Sequence, residues 1–194
     1  MTRMIKLQHV STDPSILIKE MTSVIFPHPD FILDRFNGSG QIALKYSPEV
    51  MQHHPHVNLW ECGIGTLSDW DNCIPVTTEM FDTIHPALKG SYFEEVIQLV
   101  TDHARKYGDG IGRVRLMRLK PRTCYTLHMD PEEFRYHIPL ITNDQSFFVV
   151  GDCIDRMKYV GQLYTLRTKE MHTAVNASYI NRDHLVFDTY PLQS

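Results

Sequence analysis

The sequence has few cysteines, and none of them is paired in a way that suggests a structural role. Among 194 residues there are four, at Cys62, Cys73, Cys124 and Cys153, and no two form a Cys-x-x-Cys unit. These spacings suit neither a zinc knuckle nor a disulfide framework. We therefore expect free thiols, which are typical of the reducing cytoplasm.

The chain also lacks a long apolar run and a strong excess of either charge. No stretch approaches the roughly 18 apolar residues of a membrane span, and the N-terminal MTRMIKLQHVSTDPS has no continuous apolar segment like that of a signal peptide. The formal net charge of −4 gives no general attraction to nucleic acid or anionic membrane. These absences predict a cytoplasmic protein with neither nucleic acid nor membrane as a partner.

Hydrophobic periodicity changes near residue 110, within a length that suits one domain. Apolar residues recur at helical spacing over 91–107, and Gly108 follows as a stop signal. We predict a single domain over 1–194. Residues 1–110 would form a helix-containing N-terminal part with loops on the substrate side, and 111–190 would form a β-rich core.

The second half contains short segments rich in Val, Ile, Tyr, Phe and Thr, separated by turn residues. The predicted strands are 111–120, 123–129, 134–142, 145–150, 162–168, 171–177 and 182–188, with an eighth possible within 153–160. So many short strands in so short a stretch favour a sandwich or barrel. The expected fold class is mainly β with flanking helices, arranged as a double-sheet jelly roll.

Two His-x-Asp units could contribute two ligands to a metal site, because residues i and i+2 of a strand share a face. His28-Pro29-Asp30 lies between prolines and is interpreted as a surface turn. His128-Met129-Asp130 closes a predicted strand just before Pro131. Two imidazoles and one carboxylate are the usual ligands of non-haem Fe(II), which keeps open positions for other ligands.

The third ligand should come from a distant strand. After Asp130 the remaining histidines are His137, His172 and His184, and only His172 has an arginine ten residues later, Arg182. A neighbouring strand could place that guanidinium deeper in the barrel, where it would bind a carboxylate in a bidentate manner. Each residue alone could be an ordinary strand residue, but together they indicate a site for Fe(II) and 2-oxoglutarate.

Five segments carry a resemblance to a known family: KPRTCYTLHMD (120–130), FRYHIPL (134–140), VGQLYTL (160–166), MHTAVN (171–176) and NRDHLVFD (181–188). Together they resemble the aspartyl/asparaginyl β-hydroxylases, a family of 2-oxoglutarate oxygenases, and are similar to free-proline hydroxylases. The resemblance implies a double-stranded β-helix, the jelly roll of cupin type.

The resemblance also implies roles for individual residues. The iron ligands would be His128, Asp130 and His172. Arg182 would bind the distal carboxylate of 2-oxoglutarate, with Arg135 and His137 near the iron-chelating end. Strand parity puts Asn176 on the face of His172, so Asn176 joins the predicted cofactor-binding residues and is a possible substrate contact. The sequence departs from the family at Met117, where a serine that helps to bind the cosubstrate is expected.

The predicted function is hydroxylation of an amino-acid carbon by O2, Fe(II) and 2-oxoglutarate, with a small molecule or a peptide of Asp, Asn or Pro type as substrate. Substrate recognition is expected in the stretch from Trp60 to Asp71. One alternative is a cupin-type metal enzyme without 2-oxoglutarate, which would not need Arg182. The other is a non-catalytic binding module, which would be expected to have lost ligands.

Overall fold

A computed structural model describes residues 5–28, 39–53 and 77–193. The α-helices are α1 (Pro14–Glu20), α2 (Pro48–His53) and α3 (Tyr92–Arg105). The strands are β1 (Ile5–Ser11), β2 (Ser39–Ala43), β3 (Lys45–Tyr46), β4 (Thr83–Ile84), β5 (Asp109–Leu119), β6 (Thr123–Cys124), β7 (Phe134–Ile141), β8 (Ser146–Val150), β9 (Cys153–Asp155), β10 (Gln162–Arg167), β11 (His172–Asn176) and β12 (Arg182–Pro191). None of the helices in these ranges is long and apolar enough to span a bilayer.

Two antiparallel sheets form the body of the fold. The larger has six strands in the order β1-β10-β7-β12-β5-β2, and the smaller has four in the order β6-β11-β8-β9. The non-consecutive neighbours within each sheet are those of a jelly roll, in which strands cross between two facing sheets. The predicted fold class, mainly β with flanking helices, is confirmed.

Helices α1 and α3 cover the outer face of the larger sheet. Helix α3 begins at Ser91, whose hydroxyl caps the Glu94 amide at 3.3 Å, and it ends before Gly108, which has a φ of 83°. Its buried residues recur at the predicted helical spacing: Phe93, Val96, Ile97, Val100 and Ala104. They pack with α1 and with side chains of β5, β7 and β12 in one hydrophobic cluster. This cluster holds the two helices against the outer face of the larger sheet.

Between the two sheets lies a second, smaller cluster that includes Leu119, Phe148, Leu166 and Ala174. Period-two alternation sends neighbouring residues of one strand to different clusters. In β7, for example, Ile138 packs against the helices, whereas His137 faces the space between the sheets. Most of the buried polar residues of the larger sheet are thereby placed on its inner face, whereas the ion pair Arg118–Asp183 lies on the outer face.

Strand β5 contains a β-bulge. Phe187 of β12 pairs with Val114, and Thr189 pairs with Ile111, so Gly112 and Arg113 together lie opposite the single residue between them. A Cβ atom on Gly112 would collide with the carbonyl of Thr78. A glycine is therefore required where the bulge passes the 3-10 turn Thr78–Met80.

Two features differ from the prediction. The first half of the chain supplies β1 and β2 to the larger sheet, so the sheet extends beyond the predicted core of 111–190. The strand predicted over 123–129 is regular only over Thr123–Cys124. Beyond it Leu127 and Met129 are exposed, and a side chain facing solvent gives a strand no packing against the core. In place of the continuous strand pairing that the prediction implied, a single isolated β-bridge joins His128 to His172.

Candidate metal centre and cosubstrate pocket

His128 and His172 are brought side by side by backbone hydrogen bonds. The His128 amide donates to the His172 carbonyl at 3.0 Å, and the His172 amide donates back at 2.8 Å. The ring centroids are 4.4 Å apart. Asp130 is positioned two residues later, where its amide donates to the Thr168 carbonyl at 3.0 Å. The predicted ligand atoms of His128, Asp130 and His172 all lie within 4.8 Å of one another.

Both imidazoles are oriented by their own backbone. Nδ1 of His128 lies 2.6 Å from the Thr126 carbonyl, and Nδ1 of His172 lies 2.9 Å from the Glu170 carbonyl. A carbonyl oxygen can only accept, so each Nδ1 carries the proton and each Nε2 presents its lone pair to the cluster. This arrangement is the one that fixes the tautomer of metal-binding histidines. Two free Nε2 atoms and a carboxylate match the donor set of an Fe(II) site.

Asp130 completes this donor set as a carboxylate. Its Oδ2 lies 3.3 Å from His172 Nε2 and 2.6 Å from Arg135 Nη1. Burial alone would raise the pKa of Asp130, but the neighbouring His172 and the charge of Arg135 outweigh it and hold that pKa below its usual value. The carboxylate is therefore ionised at neutral pH. Of the other His-x-Asp unit, Asp30 lies outside the described residues.

Arg182 is a buried cation without a carboxylate partner among the described residues. Its side chain is almost fully buried, with Nη2 3.1 Å from His184 Nδ1 and the guanidinium carbon 4.5 Å from the Phe148 ring centroid. Burial lowers the pKa of Arg182 to about 10, so it is still charged at neutral pH. By contrast, the other inner arginines of the larger sheet each have a carboxylate partner: Arg113, Arg115 and Arg135.

One pocket between the sheets joins the metal-ligand cluster to Arg182. Its lining consists of Met117, Tyr125, His128, Arg135, His137, Phe148, Leu166, Thr168, His172, Ala174, Arg182 and Val186. About half of these side chains are apolar, and the others carry polar or charged groups. Such a combination is typical of small-molecule sites, in which apolar walls surround a few placed polar groups.

Arg135 and His137 line this pocket, as their predicted roles require. Both ring nitrogens of His137 are buried without a hydrogen-bond partner in the described part of the chain. Burial, assisted by Arg182, lowers the pKa of His137 well below its usual value, so the ring is neutral. Arg135 also pairs through Nε with Asp188 Oδ1 at 2.8 Å. That carboxylate anchors the arginine against the sheet.

Asn176 is the predicted cofactor residue that is not in the pocket lining. Its amide nitrogen donates to the carbonyls of Leu119, Lys120 and Ile180 at 2.9, 3.1 and 2.8 Å. Its amide oxygen accepts from the hydroxyls of Ser146 and Ser178 at 3.1 and 2.6 Å. With its hydrogen-bonding capacity used in this way, Asn176 ties the end of β5 to the turn after β11. This role is structural.

Two polar pocket residues were not predicted. Tyr125 lies three residues before His128, on the opposite parity of the predicted strand, in a segment that is irregular in the structure. Thr168 follows β10, and its hydroxyl donates to the Glu132 carbonyl at 2.7 Å. Met117 was singled out from the sequence as the replacement for an expected serine, and its side chain does line the pocket.

Comparison with known proteins places the chain in a family. The profile of the aspartyl/asparaginyl beta-hydroxylase family matches residues 66–191, which is more than half of the chain. The chain belongs to this family. No curated protein matches the sequence.

Solved structures are similar to this chain at low sequence identity. A viral collagen prolyl hydroxylase from Paramecium Bursaria Chlorella virus-1 is 9% identical, with 97% of this chain and 96% of that chain covered and a TM-score of 0.50. An IDO from Bacillus thuringiensis is 12% identical, with 92% and 86% covered and a TM-score of 0.49.

A third solved structure covers a smaller part of the chain. The 2OG-Fe(II) oxygenase family protein from Burkholderia pseudomallei is 21% identical, with 50% of this chain covered and a TM-score of 0.43. The chain spans 55% of the length of that protein.

Proposed function

We propose that the chain is an Fe(II)- and 2-oxoglutarate-dependent hydroxylase in which His128, Asp130 and His172 hold the metal and Arg182 binds the distal carboxylate of the cosubstrate. The observation that carries this proposal is the buried, charged Arg182 without a carboxylate partner among the described residues, in the same pocket as the His–Asp–His cluster.

A buried charge without a counter-charge is costly, commonly by several kcal/mol. A carboxylate delivered by a ligand removes that cost and accepts two parallel hydrogen bonds from the guanidinium. A ligand that spans the pocket from Arg182 to the metal cluster needs a second group able to bind a metal. 2-Oxoglutarate carries a carboxylate at one end and a 2-oxo acid at the other, so its two ends match the two polar regions.

The remaining pocket residues have distinct tasks in this proposal. Arg135 lies beside Asp130 and supplies positive charge near the metal-binding end of the cosubstrate. His137, neutral and without a hydrogen-bond partner in the described residues, offers a hydrogen bond there without adding charge. Leu166 and Val186 wall the pocket and exclude water. When bound, iron supplies the oxidative chemistry that uses O2.

The proposed substrate is an amino acid, free or within a peptide, hydroxylated at a side-chain carbon of the Asp, Asn or Pro type. The family description, which names aspartyl and asparaginyl residues, supports this choice. So does the prolyl hydroxylase among the proteins of similar fold. The predicted recognition stretch from Trp60 to Asp71 lies outside the described residues, and its role stays a prediction.

An anaerobic titration tests the cofactors. We expect a visible metal-to-ligand charge-transfer band only when Fe(II) and 2-oxoglutarate are both present, and no band in Asp130→Ala or His172→Ala. Fe(II) binding without any effect of 2-oxoglutarate would instead favour a metal enzyme of cupin type. Free amino acids and short peptides should then be screened for stimulation of succinate formation, and the best substrate identified by the mass of its hydroxylated product.

A further inference from the structure

The hydroxyl of Tyr125 is a buried polar group without a protein partner. Its oxygen is shielded from solvent, and no donor or acceptor among the described residues hydrogen-bonds to it. Buried hydroxyls in folded proteins nearly always have a partner, and a missing one costs about 1–3 kcal/mol. Tyr125 lines the same pocket as Arg182. A ligand in that pocket is therefore a candidate for the missing partner.

The backbone holds Tyr125 in this position from both sides. Its amide donates to the Ala174 carbonyl at 3.0 Å, and its carbonyl accepts from the Thr173 hydroxyl at 2.6 Å. Ala174, directly alongside, also lines the pocket, and the Tyr125 ring packs on the cluster between the sheets. The ring therefore comes from the smaller sheet, whereas Arg182 comes from the larger one. The two residues flank the pocket from opposite walls.

Tyr125 and Arg182 are close enough to influence each other electrostatically. Burial raises the pKa of the Tyr125 phenol, and the nearby Arg182 charge opposes that rise. The phenol keeps its proton at neutral pH and can donate it in a hydrogen bond. The Arg182 guanidinium directs Nη2 towards His184, so part of its donor capacity is already used. The apolar neighbours Met117 and Phe148 have no N–H or O–H to offer.

A bound carboxylate has more acceptor sites than Arg182 alone satisfies, because its two oxygens offer about four lone-pair positions. We propose that the Tyr125 hydroxyl donates a second hydrogen bond to the carboxylate bound by Arg182, and that Tyr125 thereby selects 2-oxo acids with a distal carboxylate. This inference rests on the proposed function, since the carboxylate is that of the cosubstrate. It adds a specificity residue from the opposite sheet.

The test compares two ligands in two matched variants. Tyr125→Phe removes only the hydroxyl, and Tyr136→Phe is the control, a buried tyrosine in the cluster under the helices. Dissociation constants are measured anaerobically by calorimetry with Fe(II) present, for 2-oxoglutarate and for 2-oxopentanoate, which has the same chain length but no distal carboxylate. A hydrogen bond to a charged group contributes enough for about a tenfold change in affinity.

We expect Tyr125→Phe to weaken 2-oxoglutarate about tenfold and to leave 2-oxopentanoate within twofold of the wild type. Tyr136→Phe should change neither affinity. Because the hydroxyl has no partner in the free protein, Tyr125→Phe should also melt no lower than the wild type. A lower melting temperature would indicate a structural hydroxyl and overturn the inference.

Two binding results would also overturn it. If 2-oxoglutarate binds Tyr125→Phe as tightly as it binds the wild type, the hydroxyl does not contact the carboxylate, and the proposed function stands. If both ligands weaken equally, the hydroxyl acts on the pocket as a whole. Failure of the proposed function has a different signature, since the wild type would then bind Fe(II) but not 2-oxoglutarate.

Discussion

The two faces of the larger sheet are built from the same strands but have opposite chemistry. On the outer face, Ile138, Leu185 and Phe187 pack against α1 and α3 in a hydrophobic cluster, and the same face also carries the ion pair Arg118–Asp183. On the inner face, the adjacent residues in β7 and β12 include His137 and Asp188, both buried. Apolar packing on the outer face stabilises the fold and compensates for the cost of burying charges on the inner face.

The inner charges are organised around Asp188. Its carboxylate lies 3.0 Å from Arg113, 2.6 Å from Arg115 and 2.8 Å from Arg135. Burial alone would raise the pKa of Asp188, but the three guanidinium groups pull it well below its usual range. Since Arg135 also reaches Asp130 at 2.6 Å, Asp188 is connected to the proposed metal ligand through one side chain.

The largest effect is expected from Asp188→Asn, which leaves Arg113, Arg115 and Arg135 without their shared counter-charge. Removing one partner of a buried ion pair costs about 3–5 kcal/mol, so we expect a loss of that size in the free energy of unfolding, measured with urea. The control is Asp102→Asn, at an exposed ion pair with Arg105, which should be nearly neutral. Equal effects in the two variants would show that the inner network is not held by Asp188.

Phe187 precedes Asp188 in β12 but faces the helices, so Phe187→Ala tests the contribution of the outer face to stability. The fully buried ring leaves a cavity, and such truncations cost about 3–5 kcal/mol. Since Phe187 faces away from the pocket, the affinity of the folded variant for 2-oxoglutarate should match that of the wild type, measured well below the melting temperature. A large loss of affinity in folded Phe187→Ala would mean that the two faces are not independent.

Arg182→Ala should have the opposite effect to Phe187→Ala: it should weaken the binding of 2-oxoglutarate and change the stability of the protein little. Losing a buried charge pair with a ligand commonly costs about 2–5 kcal/mol, a 30-fold or larger weakening of 2-oxoglutarate binding. Arg182→Lys should be nearly as damaging, because lysine lacks the planar fork. The free protein should lose little stability, since an unpaired buried charge is removed. Unchanged 2-oxoglutarate affinity in Arg182→Ala, with exposed Arg105→Ala as control, would rule out the proposed contact.

The smallest expected effect is on the pH dependence of the stability of the protein. Burial, assisted by Arg182, lowers the pKa of His184 well below its usual value. Below about pH 6.5 the unfolded chain binds a proton at this histidine but the folded chain does not. Stability should therefore fall as the pH drops from about 6.5, by up to about 1.4 kcal/mol per pH unit from this group.

Replacing His184 by Gln should reduce that slope by about one proton, whereas replacing the exposed His9 by Gln should not. Urea unfolding at several pH values between 5 and 7 measures both slopes. The same slope in His184→Gln and the wild type would show that His184 is protonated in the folded state.

Much of this fold followed from hydrophobic periodicity. Helix α3 was predicted because its apolar residues repeat at helical spacing, and most strands of the core were predicted from turns and β-branched residues. Edge strand β1 was missed because it buries few side chains: Leu7, for example, is 43% exposed. An exposed edge leaves little periodic signal in the sequence.

The candidate site was predictable only in part, for a geometric reason. Parity along a strand tells which face a residue occupies, and it correctly grouped Arg135 with His137. Parity does not tell how far along that face the pocket extends, so Asn176 was placed in the pocket although it lies beyond it. Tyr125 escaped prediction because the parity of the predicted strand 123–129 puts it on the face opposite to His128, whereas this segment is not a regular strand beyond Cys124.

The bulge in β5 determines which genetic changes the two faces can tolerate. In a regular strand, loss of a single codon moves every later residue to the opposite face. Loss of Leu116, for example, would turn the outward-facing residues on one side of it away from the helices and towards the charged side chains of the inner face. Gly112 is different, because it is the additional residue of the bulge. A deletion there would straighten the strand and keep inside and outside in order, so length variation in β5 is expected to concentrate at Gly112.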